Sequence, residues 1–371
     1  MKVRVGDLTK IRTGKLDANA SSETGEYPFF TCSKEPLKIS TYSYDCECVL
    51  VAGNGDLNVK YYNGKFDAYQ RTYIIEDNSS GKICMLYLYY YMESYIEELR
   101  KQSIGGVIKY IKLGNLTDAL IELPSVYEQK AIVEILGKIK NIINKHNKEI
   151  SNLDELIKAR FVEMFGTLSD NENGFDVVII DDVCSLIKDG THQTPQYIED
   201  KEEGYKFLSS KDVMSQKIDW SKIKYIPADL HEKLYATLKP QRNDILMSKN
   251  GVNYGVAAIN DTDEVFDIYV SLALLRPKEM IDPIFFRCVI NNPETKRQFN
   301  SSIKGVGVPN LHLSEIKKTK IFLPPMKLQK EFVNFVKQVD KSKFEVQKSL
   351  EKTQQLYDSL MQKYFGLIKW L

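Results

Sequence analysis

Residue types that commonly carry chemistry are few in this chain and stand apart. Its four histidines, at positions 146, 192, 231 and 312, do not cluster, and its six cysteines, at 32, 46, 48, 84, 184 and 288, form neither a disulfide framework nor paired Cys-x-x-Cys knuckles. Cys46-Glu47-Cys48 could offer two thiolates to a metal, but it reads better as two thiols on a strand. Gly53-Asn54-Gly55 lacks the third glycine and the following helix of a dinucleotide fingerprint, so it reads as a hairpin turn. No Gly-x-x-x-x-Gly-Lys-Ser/Thr phosphate loop occurs, nor an Asn/Asp-Pro-Pro-aromatic tetrapeptide, His-Glu-x-x-His, Gly-x-Ser-x-Gly, or His-x-Glu with Pro-Cys-x-x-Cys. The expectation is a chain with no catalytic centre, cofactor or metal of its own.

The elements that would position any binding residues are duplicated at an offset of 200. Leu123-Pro124 recurs as Leu323-Pro324, Gln129-Lys130 as Gln329-Lys330, Val133 as Val333, Lys148 as Lys348, Leu156 as Leu356, and Phe165-Gly166 as Phe365-Gly366. That is 9 identities across positions 123 to 166 without a gap, where composition alone gives about 3. The repeat continues upstream in Gly105 and Gly305, Leu113 and Leu313, Ile121 and Ile321, and Phe66-Asp67-x-Tyr69 with Phe266-Asp267-x-Tyr269.

Each repeat ends in one long predicted helix, from Leu-Pro to Phe-Gly, with a seven-residue period. Leu136, Ile139, Ile143, Ile150, Leu153 and Ile157 form the seam of the first, and Val336, Val339, Val346, Leu350, Tyr357 and Leu360 that of the second, interrupted by Lys343 and Thr353. Two similar halves related by a pseudo-twofold axis satisfy both seams by packing the helices antiparallel on each other. His146, on the seam, reads as a partly exposed core histidine. Ile132, Ile135, Ile142, Phe332, Phe335, Phe344 and Leu356 widen the stripe, so something besides the partner helix packs there.

The remaining segments read as mixed α/β. Val49–Ala52, Thr72–Ile75, Asp244–Met247 and Val270–Leu275 are predicted strands among glycine-asparagine turns, and Ile83–Gln102 and Pro283–Asn300 are predicted helices. The fold class is α/β (α+β): two similar mixed domains separated by two long helices in an antiparallel coiled coil. The boundaries are 1–122 for the first domain, 123–166 for its helix, 167–322 for the second domain and 323–371 for the second helix.

With 371 residues, more than one core is required. Lys plus Arg number 51 against 50 Asp plus Glu, which excludes a polyelectrolyte tail; any basic face must come from arrangement. Met1–Lys10 has no apolar core, and no apolar run is long enough to span a bilayer, so the expectation is a cytoplasmic protein with no membrane partner.

The repeated Leu-Pro-x-x-x-x-Gln-Lys start, the Phe-Gly end and the two diverged domains resemble the specificity subunit of a type I restriction-modification system. Val49 to Gly55 and Asp244 to Gly251 are similar to that family's strand-turn motif. Gly305-Val306-Gly307-Val308-Pro309-Asn310-Leu311 is similar to its return toward the long helix; Gly105-Gly106-Val107-Ile108-Lys109 lacks the proline. The resemblance implies two target recognition domains, each reading half of a bipartite double-stranded DNA site. The helices would set the gap and dock methyltransferase subunits, one per half, with restriction subunits as further partners. About 40 helical residues span roughly 60 Å, near 17 base pairs of B-DNA at about 3.4 Å each.

Reading base edges takes paired donors and acceptors, so Arg, Lys, Asn, Gln and Thr on turns beside strands are the expected contacts. In the first domain these are Lys34, Asn54, Gln70, Arg71 and Thr72, with Tyr61 and Tyr62 as packing or phosphate groups. In the second they are Thr191, His192, Gln193, Lys211, Lys249, Asn250, Asn253 and Tyr254, with Lys304, Asn310 and His312 near the repeated glycine loop. Arg71 and Lys249 each sit in a repeat-related strand-turn context. The alternative from another class is a non-enzymatic protein-interaction scaffold with two divergent modules on a coiled coil.

Overall fold

The structure is a computed structural model that describes residues 1–199, 202–303 and 309–366. Lys304, and the Gly305 to Val308 part of the return motif, lie outside the described residues. Two helices of 40 residues each, Val126–Phe165 and Met326–Phe365, run at the 200-residue offset. The first begins in a capping box: the Glu128 carboxylate accepts from the Ser125 backbone N–H at 2.9 Å while the Ser125 hydroxyl accepts from the Glu128 N–H at 3.3 Å. Both end on a glycine in the left-handed region, Gly166 at φ 71° and Gly366 at φ 64°, as a helix C-terminus favours.

The chain divides into two compact units, Met1–Glu149 with Val346–Leu371, and Ile150–Glu345. Each unit therefore takes the start of one long helix and the end of the other. In the first, Leu136 packs with Met361, Tyr357 and Leu360; in the second, Phe161 and Phe165 pack with Phe332. That pairing of starts with ends makes the helices antiparallel.

Of the seam residues, Leu136, Ile139, Val336 and Val339 are buried, while Ile143, Ile150, Leu153, Ile157, Val346, Leu350, Tyr357 and Leu360 are half-buried. Leu136 and Val336 gain from a second layer, Tyr90 over the former and the second unit's core over the latter. The wider stripe splits. Ile132 and Phe332 pack on their own unit's α/β layer, whereas Ile135, Ile142, Phe344 and Leu356 stay exposed. Lys343, which interrupts the seam, is held 2.5 Å from Asp154.

In the first unit six strands form one sheet, in the order Thr9–Thr13, Thr72–Asp77, Tyr44–Ala52, Val59–Ala68, Tyr27–Phe30 and Leu37–Ile39. Val49, Leu50 and Val51 are buried on both faces, which suits their β-branched and apolar run in a central strand. Helix Met85–Gln102 covers one face with Tyr87, Leu88, Tyr91, Met92, Tyr95 and Leu99, a three-and-four spacing. Strand Lys2–Arg4 pairs with Leu120–Glu122, tying the N-terminus to the run into Leu123-Pro124.

The second unit repeats this plan with two breaks. Its equivalent of the long Val59–Ala68 strand is split into Ala257–Ile259 and Phe266–Ile268, so the sheet becomes one of four strands and one of three. The predicted helix over Pro283–Asn300 is also two, Pro283–Ile290 and Pro293–Ser302. Pro293 cannot donate to the preceding turn, and Asn292 caps the new helix by accepting from the Glu294 N–H at 2.9 Å. Strand Asp176–Ile179 pairs with Lys320–Leu323, matching the closing pair of the first unit.

Candidate nucleic-acid interface

Each unit holds the turn after its central strand in the same backbone clasp. In the first, the Gly53 N–H donates to the Arg71 carbonyl at 2.8 Å, the Gly53 carbonyl accepts from Ile111 N–H at 2.9 Å, and Gly55 N–H donates to the Lys109 carbonyl at 3.0 Å. In the second, Lys249 N–H donates to the Ser271 carbonyl at 2.9 Å, the Lys249 carbonyl accepts from Leu311 N–H at 2.8 Å, and Gly251 N–H donates to the Pro309 carbonyl at 2.9 Å. Between these bonds Asn54 lies opposite Tyr110, and Asn250 opposite Asn310. Gly55 and Gly251 have φ of 69° and 86°, conformations that only glycine adopts without strain.

A second pair of contacts fixes the neighbouring turn. Tyr69 N–H donates to the Phe30 carbonyl at 2.9 Å, and Tyr269 N–H to the Leu208 carbonyl at 2.8 Å. Gly14 and Gly190 lie so close to these turns that a Cβ would stand 2.1 Å from the Ala68 oxygen and 2.0 Å from the Ile268 oxygen. The framework positions of the repeat thus make backbone bonds or close approaches, leaving the side chains between them free to differ.

In the first unit the clasp gathers Lys34, Asn54 and Arg71. Arg71 is exposed; its carbonyl is taken by Gly53 while no ion pair ties its guanidinium among the described residues. Lys34 is exposed and 3.9 Å from Asp56, which also holds Arg100 at 3.1 Å. Gln70 shares the Arg71 turn, but its amide donates to Asp17 at 2.8 Å. Thr72 is buried, and its hydroxyl donates to the Phe30 carbonyl at 3.2 Å, which removes it from the surface. The Tyr61 hydroxyl donates to Glu47 at 2.7 Å, and burial, then that bond, push its pKa up to about 12. Tyr62 packs on Phe30 and Phe66. The expected set omitted exposed Lys109 and Tyr110, although the glycine run ending at Lys109 was a signal for them.

In the second unit Lys249 takes the clasp position that Gly53 holds in the first. It is 5% exposed, with its ammonium 3.1 Å from Asp189, so it holds the clasp from inside. The same carboxylate lies 3.2 Å from His192, which with Gln193 is exposed beside half-buried Thr191. Asn250 is half-buried and its amide oxygen, enclosed, has no partner among the described residues. Asn253, Asn310, His312 and Lys211 are exposed. Tyr254 is held by its hydroxyl to Asn300 at 2.7 Å and by the Lys296 ammonium 3.4 Å above its ring.

Burial pushes the Cys48 thiol up, away from thiolate character, and among the described residues no group of three or more His, Cys, Asp or Glu is placed to hold a metal. Nor is any helix among them long and apolar enough to cross a membrane.

Residues 1–153 and 172–356 each match the family described as the type I restriction modification DNA specificity domain. Over 98% of its length the chain is 28% identical to the specificity subunit of the type I restriction enzyme EcoDI of Escherichia coli, covering 87% of that protein. It is 24% identical to the MjaVIII specificity subunit of Methanocaldococcus jannaschii, over 95% of this chain and 91% of the other. A crystal structure of a type I restriction-modification S subunit from M. genitalium superposes over the whole chain and 96% of its own, with a TM-score of 0.61 at 15% identity, so the fold is shared. The two matched copies, the duplicated clasp and the paired helices together make this chain a member of the type I restriction-modification specificity subunits, the non-catalytic subunits that give such systems their DNA sequence recognition.

Proposed function

We propose that residues 1–122 and 167–322 are two target recognition domains, each reading one half of a bipartite duplex site from the exposed side chains of its clasp. The observation that carries this is the clasp itself: identical backbone bonds at repeat-related positions, with Asn54, Arg71 and Tyr110 in one unit answered by Asn250, Ser271 and Asn310 in the other. A rigid turn with interchangeable donors is what two different half-sites require. In the first domain Lys34, Asn54, Arg71, Lys109 and Tyr110 form the reading surface. In the second, His192, Gln193, Lys211, Asn250, Asn253 and Asn310 do, with Lys249 acting from beneath the surface as Thr72 does in the first.

The two long helices set the unread gap, since they are stiff and of equal length, and their exposed Ile135, Ile142, Phe344 and Leu356 receive two methyltransferase subunits. Restriction subunits join that assembly, which would work in the cytoplasm on chromosomal DNA. The methyl transfer and cleavage belong to those partners. Sequencing methylated DNA from cells carrying this chain with a methyltransferase subunit tests the reading: a two-part motif with an undefined gap is expected, and a continuous motif, or methylation independent of this chain, would overturn it.

A further inference from the structure

Gln129 and Gln329 belong to the repeat, yet no DNA contact or helix seam accounts for them. Both are fully buried, at 0% exposure. The Gln129 side-chain oxygen accepts from the Cys84 N–H at 2.7 Å, and its amide donates to the carbonyls of Lys82 and Pro124, each at 2.9 Å. The Gln329 oxygen accepts from the Asp282 N–H at 2.8 Å, and its amide donates to the carbonyls of Met280 at 3.1 Å and Pro324 at 2.8 Å. Cys84 and Asp282 are the residues immediately before the helix that covers each domain's sheet. In both units, then, one carboxamide uses its acceptor and both donors: two of its three bonds cross the joint to the segment that leads into the covering helix, and the third holds the lead-in of the long helix itself.

The rest of that joint is mostly apolar packing, such as Tyr90 on Leu136 and Phe285 on Phe332. Apolar contact is not directional and tolerates a slide or tilt, whereas hydrogen bonds with fixed donors and acceptors do not. A shorter or longer side chain, or a carboxylate, could not serve all three groups, which explains why the residue is glutamine in both copies.

We infer that Gln129 and Gln329 are positioning residues that fix the seat of each recognition domain on its long helix, and thereby the gap length the assembled complex accepts. The inference rests on the bipartite reading above. Gln129→Met keeps the bulk and removes the polar ends; Leu88→Ala, a fully buried truncation in the same unit, controls for destabilisation alone. The full chain assembled with methyltransferase subunits would be assayed on duplexes carrying both half-sites at the native gap and at gaps one base pair shorter or longer. Seating one half-site one base pair out of place loses one or two base contacts, so the unsubstituted complex should prefer the native gap by about 100-fold. With Gln129→Met that preference should fall to about 10-fold or less, with base discrimination inside each half-site unchanged. Leu88→Ala should weaken all gaps alike. If Gln129→Met also weakens all gaps alike, the positioning role is overturned. If the unsubstituted complex shows no gap preference or no split-site binding, it is the bipartite reading that fails.

Discussion

Arg71 and Lys249 each belong to a clasp, Arg71 where the second unit has Ser271 and Lys249 where the first has Gly53; one is exposed and the other is sealed against Asp189, and this difference can be measured. Arg71→Ala removes an unpaired guanidinium and leaves the backbone carbonyl that holds Gly53, so stability should change by no more than about 0.5 kcal/mol. If Arg71 touches a phosphate, the slope of log affinity against log salt should fall by about 0.9. Between about 50 and 200 mM salt, that amounts to roughly a 3.5-fold smaller loss of affinity. If instead it reads a base, the slope stays and the target with that base changed is no longer discriminated, a loss of about 1–3 kcal/mol, or about 5- to 150-fold. Lys249→Met should do neither directly. It strips the cation from a carboxylate whose side chain is 18% exposed, so the cost is stability, about 1–3 kcal/mol. Fluorescence anisotropy with a labelled duplex at several salt concentrations, beside chemical unfolding of each variant, separates these outcomes. A salt slope reduced by Lys249→Met but untouched by Arg71→Ala, with base discrimination intact in the latter, would refute the assignment of exposed and buried roles.

Other substitutions probe the framework. Gly14→Ala or Gly190→Ala should cost about 3 kcal/mol by urea unfolding, because the new Cβ meets a backbone oxygen that cannot move without breaking the turn. Arg287, 8% exposed and 3.5 Å from Asp340, should make Asp340→Asn more damaging than Arg287→Met; the first leaves a buried cation unpaired at about 2–3 kcal/mol, the second leaves a carboxylate that reaches water. Thermal unfolding of both should show that order, and the reverse would contradict it. Ile135→Lys with Ile142→Lys should abolish co-purification of one methyltransferase subunit while leaving the melting temperature nearly unchanged, since both side chains are already exposed.

Much of the fold was legible because it rests on local and repeated signals. The helices begin and end where Leu-Pro and Phe-Gly place them, since capping and the left-handed glycine act within a few residues. The candidate surface was legible only in outline. Whether Lys249 faces water depends on Asp189, sixty residues earlier, and nothing in its own turn signals that carboxylate. Thr72 looks like a donor on a turn, but the parallel pairing of Tyr27–Phe30 with Val59–Ala68 brings the Phe30 carbonyl over its hydroxyl. The glutamines were visible as repeats and silent as to role, because their partners, Lys82 and Cys84 or Met280 and Asp282, sit more than forty residues away.

These misses share a cause that bears on how such a chain can change its target. Part of the 200-residue repeat lies where a residue bonds backbone atoms or packs against the framework, as with Gln129 and Gln329, Phe165 and Phe365, and the buried Asp67 and Asp267 of the strands that Gly14 and Gly190 approach; another part, such as Lys148 and Lys348 or Leu156 and Leu356, stays on the exposed helix faces. The repeat lapses at clasp positions whose side chains leave the framework for solvent, as at Arg71 against Ser271 and Tyr110 against Asn310. Backbone bonds do not depend on which side chain stands between them, so donors can be exchanged at the clasp without cost to the joint that seats the domain. The near balance of 51 basic and 50 acidic residues then follows from the same division. On the proposed reading, affinity for DNA is asked of two small exposed sets, while other charges serve internal pairs such as Lys343 with Asp154 and Lys249 with Asp189.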